Sequence, residues 1–371
     1  MEKEIVVKVL HCLIAPIICC AGILFLGCST MEDSMEKIAY VANHDSSSVT
    51  VVDIEKAVSD PDNAVITTVF IPNSGEYIKG IAVSPDKKKV FVPDASYLGY
   101  SLWIFSAEDY SLTGPIHTGE YSVAVEVTPD GAYAYVLNNY ENTVSIVSTE
   151  TNEVVSTVEV GMGPQNIAFS PNGLYAYVTN KNGMTVSVID TDIALSLPLA
   201  SVVKTIAITA DMPKGIAVTP DGNRAFVATA GGEGSGNKVA VLDLVRTKEI
   251  DTDDDDTNGT TPISLYESFE GAPRAVTITP DGTYAYITNL YTNVDEVLND
   301  TVSVIDTVTY EVVDEIIVGD GPKGIAITSN GKYALVANAW GHTVSIIDLD
   351  TNEVISTITH GDLLGPTWIA M

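Results

Sequence analysis

Four basic residues stand at one repeated position of this sequence. Each precedes the proline of a recurring turn, or the serine that replaces it in one copy, by six residues; they are Lys79, Lys214, Arg274 and Lys323. The chain has 18 Lys and Arg against 49 Asp and Glu, so this concentration of cations stands out from an acidic background. The pattern predicts either a cationic ring that binds a carboxylated or phosphorylated ligand, or four cations that are each paired with an acidic neighbour.

Aromatic residues and histidines fall in loops that would lie on the same face as these cations. The aromatic candidates are Tyr97, Tyr100, Tyr140, Tyr291 and Trp340, and the histidines are His44 and His342. Tyr and Trp offer flat apolar surfaces to sugar rings or peptides, and two histidines can contribute to a metal or acid–base site. Both groups are also consistent with ordinary exposed loops.

An acidic run at residues 251–256 suggests a second kind of site. Asp254, Asp256 and Asn258 alternate and are followed by Gly259, as in the first half of a calcium-binding loop. Leu265 stands where an EF-hand needs a glutamate, which excludes that motif. The segment is either a Ca²⁺ site or a solvated acidic loop, and no other cofactor is predicted.

Sequence motifs of common enzyme classes are missing from the chain. It has no Cys-x-x-Cys-His, His-Glu-x-x-His or Gly-x-Ser-x-Gly sequence and no glycine-rich phosphate loop. No catalytic residue is predicted on this basis.

The elements that would position these residues belong to an internal repeat. One copy contains the turn Pro171-Asn172-Gly173, and the equivalent turns begin at Pro85, Pro129, Pro220, Pro280 and Ser329. Short Val-, Ile- and Thr-rich segments flank each turn, which is typical of strands joined by tight turns. Four strands recurring at roughly 40 to 60 residues predict the blades of a propeller.

The two ends of the chain complete the repeat. The segment from Gly365 to Met371 matches an inner strand and then stops, whereas the segment from Lys37 to Asn43 matches a second strand without an inner one. Pairing them gives an all-β, seven-bladed β-propeller whose ring is closed by the C-terminal inner strand against the N-terminal strands.

The repeats resemble the YVTN family of extracellular propellers. Tyr177-Val178-Thr179-Asn180 is the literal motif, and variants occur at residues 135–138 and 286–289. The resemblance covers residues 37–371 and implies a cell-surface protein of bacteria or archaea, in a group whose relatives include lactonases and electron-transfer subunits. It identifies a fold more specifically than an activity.

The N-terminal region indicates export. Residues 9–27 form an apolar run that ends just before Cys28, in a sequence similar to the lipobox of bacterial lipoproteins. Residues 1–28 are interpreted as a lipoprotein signal, an uncleaved membrane anchor or a cleaved signal peptide, residues 29–36 as a linker, and residues 37–371 as a single propeller domain. Attachment to a membrane is expected only through this anchor, with the protein at the cell surface or in the periplasm.

The leading hypothesis is a non-catalytic binding or scaffold propeller that presents its loop-rich face to a surface protein, a polysaccharide or a small anionic ligand. The formal net charge of −31 argues against nucleic acid. The alternatives are a hydrolase of the lactonase type, with Arg274, Lys323 and His342 polarising an ester, and a structural component of a surface layer.

Overall fold

The described residues form seven four-stranded antiparallel sheets, each ordered from an inner to an outer strand. The structure is a computed structural model that describes residues 37–72, 78–96, 101–208, 212–230, 237–247, 264–269, 271–290 and 300–371. The predicted all-β propeller with seven blades is confirmed.

The strands occupy four positions in each blade. The inner strands are β4 (Ala82–Val83), β8 (Ser122–Val127), β12 (Pro164–Phe169), β16 (Met212–Val218), β20 (Ala272–Ile278), β24 (Pro322–Ile327) and β28 (Pro366–Ala370). The second strands are β1 (Ile38–Asn43), β5 (Lys89–Asp94), β9 (Tyr133–Asn138), β13 (Tyr175–Asn180), β17 (Arg224–Ala230), β21 (Tyr284–Leu290) and β25 (Tyr333–Asn338). The third strands are β2 (Ser48–Asp53), β6 (Ser101–Ser106), β10 (Thr143–Ser148), β14 (Thr185–Asp190), β18 (Asn237–Asp243), β22 (Thr301–Asp306) and β26 (Thr343–Asp348). The outer strands are β3 (Val65–Phe70), β7 (Leu112–His117), β11 (Val154–Glu159), β15 (Val202–Ala207), β19 (Ser264–Phe269), β23 (Val312–Ile317) and β27 (Glu353–Thr359).

The ring closes through the two ends of the propeller. Strand β28 pairs with β1, with Ile369 opposite Val41 and Trp368 opposite Ala42. Each inner strand contacts the inner strands on both sides, and β28 contacts both β24 and β4. The predicted closure is therefore confirmed, and it gives the inner strand of one blade a partner from the other end of the chain.

The turns between inner and second strands share one hydrogen-bonding pattern. In the blade of β20, the Thr279 hydroxyl donates to Asp281 Oδ1 at 2.6 Å and accepts from Tyr284 N at 3.0 Å. Gly282 has a φ of 77°, which a residue without a Cβ adopts easily. The repeated Pro-Asp-Gly sequence therefore closes a tight hairpin whose polar groups satisfy one another.

The asparagine that ends several second strands forms hydrogen bonds to the third strand of the same blade. Asn138 Nδ2 donates to Thr143 Oγ1 at 3.0 Å and to Ser145 Oγ at 2.9 Å. The same arrangement recurs at Asn43, Asn289 and Asn338. The asparagine of the repeat is thus a buried structural residue.

Aromatic residues at the centre of the second strands fill the space between blades. Tyr135 is almost fully buried, clusters with Ile167 and Val178 of the next blade, and meets the Phe169 ring edge-on at 5.0 Å between centroids. Burial raises the pKa of Tyr286, at the equivalent place, to about 12. Apolar packing between adjacent blades holds the described ring together.

Short helices lie at the outer side of the ring, where two of them bind the outer strand of a neighbouring blade. They are α1 (Ile54–Ser59), α2 (Thr191–Ser196) and α3 (Leu244–Thr247), and 3₁₀ turns follow the first two at Pro61–Asn63 and Pro198–Ala200. Ser356 Oγ donates to Ala57 O, and Ser156 Oγ donates to Ala194 O, each at 2.6 Å. In the described part of the chain, no helix is both long and apolar enough to span a membrane.

Candidate functional site

A cavity of about 410 Å³ lies at the mouth of the ring. Six of the residues predicted from the sequence line it: Lys79, Lys214, Arg274, Lys323, His44 and Trp340. The other lining residues in the described ranges are Gln165, Asn166, Gly215, Leu290, Thr367 and Trp368. The fold therefore brings the four repeated cations, which are far apart in the sequence, to one cavity, called the cationic mouth below.

A register irregularity in the inner strand places each of three cations. Pro213 pairs with Thr229 and Ile216 with Val227, so that Lys214 lies in a bulge between them. Arg274 and Lys323 lie at equivalent irregularities. Bulges re-aim side chains and are common beside functional sites.

Hydroxyl groups from the adjacent blades fix the backbone at this position. Thr179 Oγ1 donates to Lys214 O at 2.7 Å, and Thr288 Oγ1 donates to Lys323 O at 3.0 Å. These two threonines are the third residues of the YVTN-like motifs. The threonine of the motif thus holds the backbone of the cationic residue in the adjacent blade through a hydrogen bond.

Burial and mutual repulsion act on the cations of the mouth. Burial, followed by the nearby charges of Arg274 and Lys181, lowers the pKa of Lys214 to about 7. Burial also lowers the pKa of Arg274, and burial followed by the Arg274 charge lowers that of Lys323, although Asp45 opposes the effect. The mouth holds its positive charge at an electrostatic cost.

Hydrogen bonding at the cationic mouth is incomplete. Arg274 Nε is buried and has no hydrogen-bond partner among the described residues. Within the same ranges, no carboxylate forms an ion pair with Lys79, Lys214, Arg274 or Lys323. Asp45 acts on Lys323 only through its charge and forms no ion pair with it.

Lys79 belongs to an aromatic cluster at one side of the mouth. Its Nζ donates to Tyr121 Oη and lies 4.5 Å from the centroid of the Tyr121 ring. Tyr140 stacks on Tyr121 with 4.4 Å between centroids. Tyr140 therefore supports Lys79 through Tyr121 and does not itself line the cavity.

The two predicted histidines lie beside the closing segment. His44 lines the mouth, and its Nδ1 is 2.8 Å from Asp45 Oδ1. His342 is not among the lining residues, and its Nδ1 accepts a hydrogen bond from Gly365 N at 2.9 Å. Among the described residues no group of three His, Cys, Asp or Glu could hold a metal ion.

Trp340 stands at the rim of the mouth. Its side chain is 49 % exposed. Gly321 has a φ of 73°, and a Cβ added there would lie 2.8 Å from Trp340 Cγ. A glycine is therefore required for Trp340 to lie against this turn.

Sequence reasoning missed several residues in and near the mouth. Asn166 and Trp368 line the cavity, Lys181 contributes charge beside Lys214, and Glu126 lines a smaller adjoining cavity. Asn166, Trp368 and Glu126 sit on inner strands, one or three residues after the cationic position. An alignment of the repeats would have shown that other blades carry Gly or Ala one residue after the cationic position and Ala or Thr three residues after it.

Some predicted residues lie outside the described ranges. They are Tyr97, Tyr100, Tyr291, Asp254, Asp256, Asn258 and Cys28. The calcium site, the lipidation site and the division of residues 1–36 into signal and linker therefore stay predictions.

Two protein-family models match parts of the chain. A model described as "Lactonase, 7-bladed beta-propeller" matches residues 149–289, and one described as "YNCE-like beta-propeller" matches residues 272–369. No curated protein sequence matches significantly. The matches support a seven-bladed propeller, and the narrower YVTN assignment stays a prediction.

Solved structures with a similar fold come from several bacteria. Kuenenia stuttgartiensis hydrazine synthase is 23 % identical, with a TM-score of 0.68 over 79 % of this chain and 89 % of its own. A putative 6-phosphogluconolactonase from Bacteroides uniformis is 17 % identical, with a TM-score of 0.69 over 90 % and 99 % of the two chains. A second putative 6-phosphogluconolactonase, from Bacteroides fragilis, is 15 % identical, with a TM-score of 0.69 over 92 % and 98 %. At these identities the similarity shows that the chain has the seven-bladed propeller fold, and activity has to be argued from the site.

Proposed function

We propose that the protein binds a small carboxylated or phosphorylated molecule at the cationic mouth. The observation that carries the proposal is the group of Lys214, Arg274 and Lys323, which line one cavity with lowered pKa values and form no ion pair with a carboxylate of the described residues. A bound anion would relieve the repulsion among these cations. It would also supply an acceptor for donors such as Arg274 Nε.

The remaining lining residues suit a ligand with a ring or hydroxyl groups. Trp340 and Trp368 offer flat apolar surfaces, and Gln165 and Asn166 offer amide donors and acceptors. A cavity of about 410 Å³ lies within the range of small-molecule sites. A sugar acid or a sugar phosphate fits this combination of charge, aromatic surface and amides.

The test is calorimetric titration of residues 29–371 with gluconate, glucose 6-phosphate and neutral glucose. We expect the two anions to bind and glucose not to bind. A variant with Lys214, Arg274 and Lys323 changed to Gln should lose anion binding. The matched control changes the exposed Lys56, Lys88 and Lys332 to Gln, which alters the net charge equally and should preserve binding. If anion binding falls equally in both variants, the effect is due to net charge alone, and this contradicts the proposal.

A second candidate function is hydrolysis of a lactone that carries an anionic group. The lactonase model covers residues 149–289, which include Lys214 and Arg274, and two structural neighbours are described as putative 6-phosphogluconolactonases. With a pKa near 7, Lys214 has a neutral amine available at weakly alkaline pH. The amine would take a proton from water as the water oxygen attacks the lactone carbonyl; the ring C–O bond then breaks, and the ring oxygen receives the proton as a hydroxyl group.

In this candidate, Arg274 and Lys323 stabilise the negative charge on the carbonyl oxygen. The check is hydrolysis of δ-gluconolactone and of its 6-phosphate above the spontaneous rate. The expected rate rises with pH through about 7, and Lys214→Met should abolish it. An unchanged rate in K214M would exclude this role for Lys214 without affecting the binding proposal.

Export and tethering are proposed from the sequence alone. Cys28 is the proposed lipidation site, and the cell surface or periplasm is the proposed location. Mass spectrometry of the protein from membranes should show an acylated Cys28, and Cys28→Ala should release the protein. If no small anion binds, a scaffold with a protein or polysaccharide partner, or a surface-layer component, becomes the better hypothesis.

A further inference from the structure

One inner-strand position differs sharply between blades. Three residues after the cationic position, six blades carry small side chains: Ala82, Ala168, Ala217, Thr277, Ala326 and Ala370. The blade of β8 carries Glu126 there instead. Strand pairing establishes the equivalence, because Glu126 lies opposite Tyr135 just as Ala168 lies opposite Tyr177.

Glu126 lines a small cavity of about 50 Å³ that adjoins the cationic mouth. The two cavities share Lys79, Gln165, Asn166 and Trp368 as lining residues, which places Glu126 beyond the mouth along the inner strands. A single water molecule occupies about 30 Å³ in the liquid. The smaller cavity is therefore large enough for a group of that size.

The loss of hydration of the Glu126 carboxyl is only partly compensated by its neighbours. Burial raises its pKa to about 7, against which a backbone hydrogen bond from Val127 and the charge of Lys87 act only in part. No ion pair to Glu126 occurs among the described residues. The nearby lysines are engaged elsewhere: Lys79 Nζ donates to Tyr121 Oη, and Lys87 Nζ donates to Met371 O.

The mouth is lined by four cationic side chains, whereas the smaller cavity adds a carboxyl, that of Glu126, beside Lys79. Positive side chains surround the mouth, and one carboxyl lies deeper. We propose that the ligand is zwitterionic, with its anionic group at the cationic mouth and a primary ammonium group against Glu126. This inference rests on the proposed anion binding and names the class of ligand. An ammonium ion compensates a desolvated carboxylate by charge as well as by hydrogen bonding, whereas a hydroxyl group supplies only the hydrogen bond.

The separation of the two charges should select the ligand's length. Glu126 lies three residues along β8 from Val123, which occupies the repeated position in that blade, or about 10 Å of backbone at about 3.3 Å per residue. The cations of the mouth stand at this repeated position on other blades, so they and the Glu126 carboxyl lie at different levels of the ring. We therefore expect an extended ω-amino acid to bind better than an α-amino acid.

The experiment compares ω-amino acids with matched acids by calorimetry. The probes are glycine, 4-aminobutyrate, 6-aminohexanoate and 8-aminooctanoate, together with hexanoate and 6-hydroxyhexanoate. We expect 6-aminohexanoate to bind about tenfold more tightly than hexanoate or 6-hydroxyhexanoate, and glycine to bind weakly.

The variants separate the two proposals. In Glu126→Gln and Glu126→Ala, the advantage of the amine should vanish while hexanoate binds at least as well as before. Alanine is the residue of five other blades at this position, so E126A is expected to fold, and thermal unfolding checks this. Glu153→Gln, at an exposed site, has the same charge change as E126Q and should keep the advantage.

The outcomes that overturn the inference differ from those that overturn the proposed function. Equal affinity of amino, hydroxy and unsubstituted acids for the wild type overturns the zwitterion and leaves anion binding intact. An amine advantage that survives in E126Q and E126A assigns it to another group and also overturns the inference. If none of the acids binds, the cationic mouth and the zwitterion fail together.

Discussion

The two ends of strand β20 carry repeated polar residues with opposite properties. At the turn, Thr279 and Asp281 satisfy each other and the backbone around them. At the mouth, Arg274 is partly buried, has a lowered pKa, and keeps a buried Nε without a partner among the described residues. Both positions recur from blade to blade, so repetition alone does not distinguish them.

The comparison separates residues that stabilise the propeller from residues that the propeller positions for ligand binding. A polar group whose partners are supplied by its own repeat lowers the free energy of the fold. A cation that the fold desolvates without a partner raises that free energy, and such a cost is common at binding sites. Stability and ligand affinity should therefore respond in opposite ways at the two ends.

Arg274→Gln should produce the largest effect. Loss of a buried charged partner usually weakens binding by about 2 to 5 kcal/mol, which is at least about thirtyfold in Kd. The free energy of unfolding should stay constant or rise, because a desolvated charge is removed. Calorimetric titration with an anion that binds the wild type and urea unfolding measure the two quantities. A variant that loses stability but keeps its affinity would reverse the assignment.

Thr279→Val should have the converse effect. It leaves Asp281 and Tyr284 N without the Thr279 hydroxyl group, at a cost of about 1 to 3 kcal/mol in unfolding free energy. The Kd for the same anion should not change. Urea unfolding at pH 7.5 measures the loss, and the comparison with R274Q within one blade is the control. Weaker anion binding in T279V would mean that the two ends of the strand are coupled.

Lys214→Met tests the free-energy cost of burying a cation at the mouth, measured as the pH dependence of stability. The folded-state pKa of Lys214 is about 7, below that of an unfolded lysine, so the unfolded state binds more protons between pH 7 and about 10. Wild-type stability should therefore gain about 1 to 2 kcal/mol from this residue between pH 7 and pH 9. The gain should be absent in K214M and present in the outer-strand control Lys204→Met. Parallel stability curves for wild type and K214M would contradict the assignment.

Asp281→Asn should give the smallest change. The Thr279 hydroxyl and then the Thr283 backbone hold the pKa of Asp281 below its usual value, so its contribution is present above about pH 4 and is lost as the pH falls further. Asn172 and Asn330 occupy the same place in two other turns, and the site is largely exposed, so the loss at pH 7 should stay below about 1 kcal/mol. Unfolding at pH 3 should differ less between wild type and D281N than unfolding at pH 7. A larger difference at pH 3 would contradict this account.

Much of the fold follows from local patterns in the sequence. The turn at Pro280 and the short apolar strands around it specify a hairpin, because proline fixes one backbone angle and Gly282 accepts a positive φ. Matching the C-terminal segment to Gly321–Ile327 then predicts the closure by β28. These features depend on residues close in the chain or on similarity between repeats, so they can be inferred without coordinates.

The candidate site was predicted only in part. The repeated position identified Lys79, Lys214, Arg274 and Lys323, since equivalent positions in a ring lie together. It could not assign Tyr140 to a stack on Tyr121, or His342 to the closing segment, because those contacts depend on how loops of different length fold over one another.

The sequence by itself determined the blade, the number of blades, the closing strand and the position of the cations, because each follows from periodicity. Only the tertiary structure decided which polar groups are satisfied. Desolvation and pairing depend on neighbours from other blades, as they do for Arg274 Nε and for the carboxyl of Glu126. The repeat therefore places the cations of the mouth, whereas neighbours from other blades and the single exception at Glu126 set the environment around them.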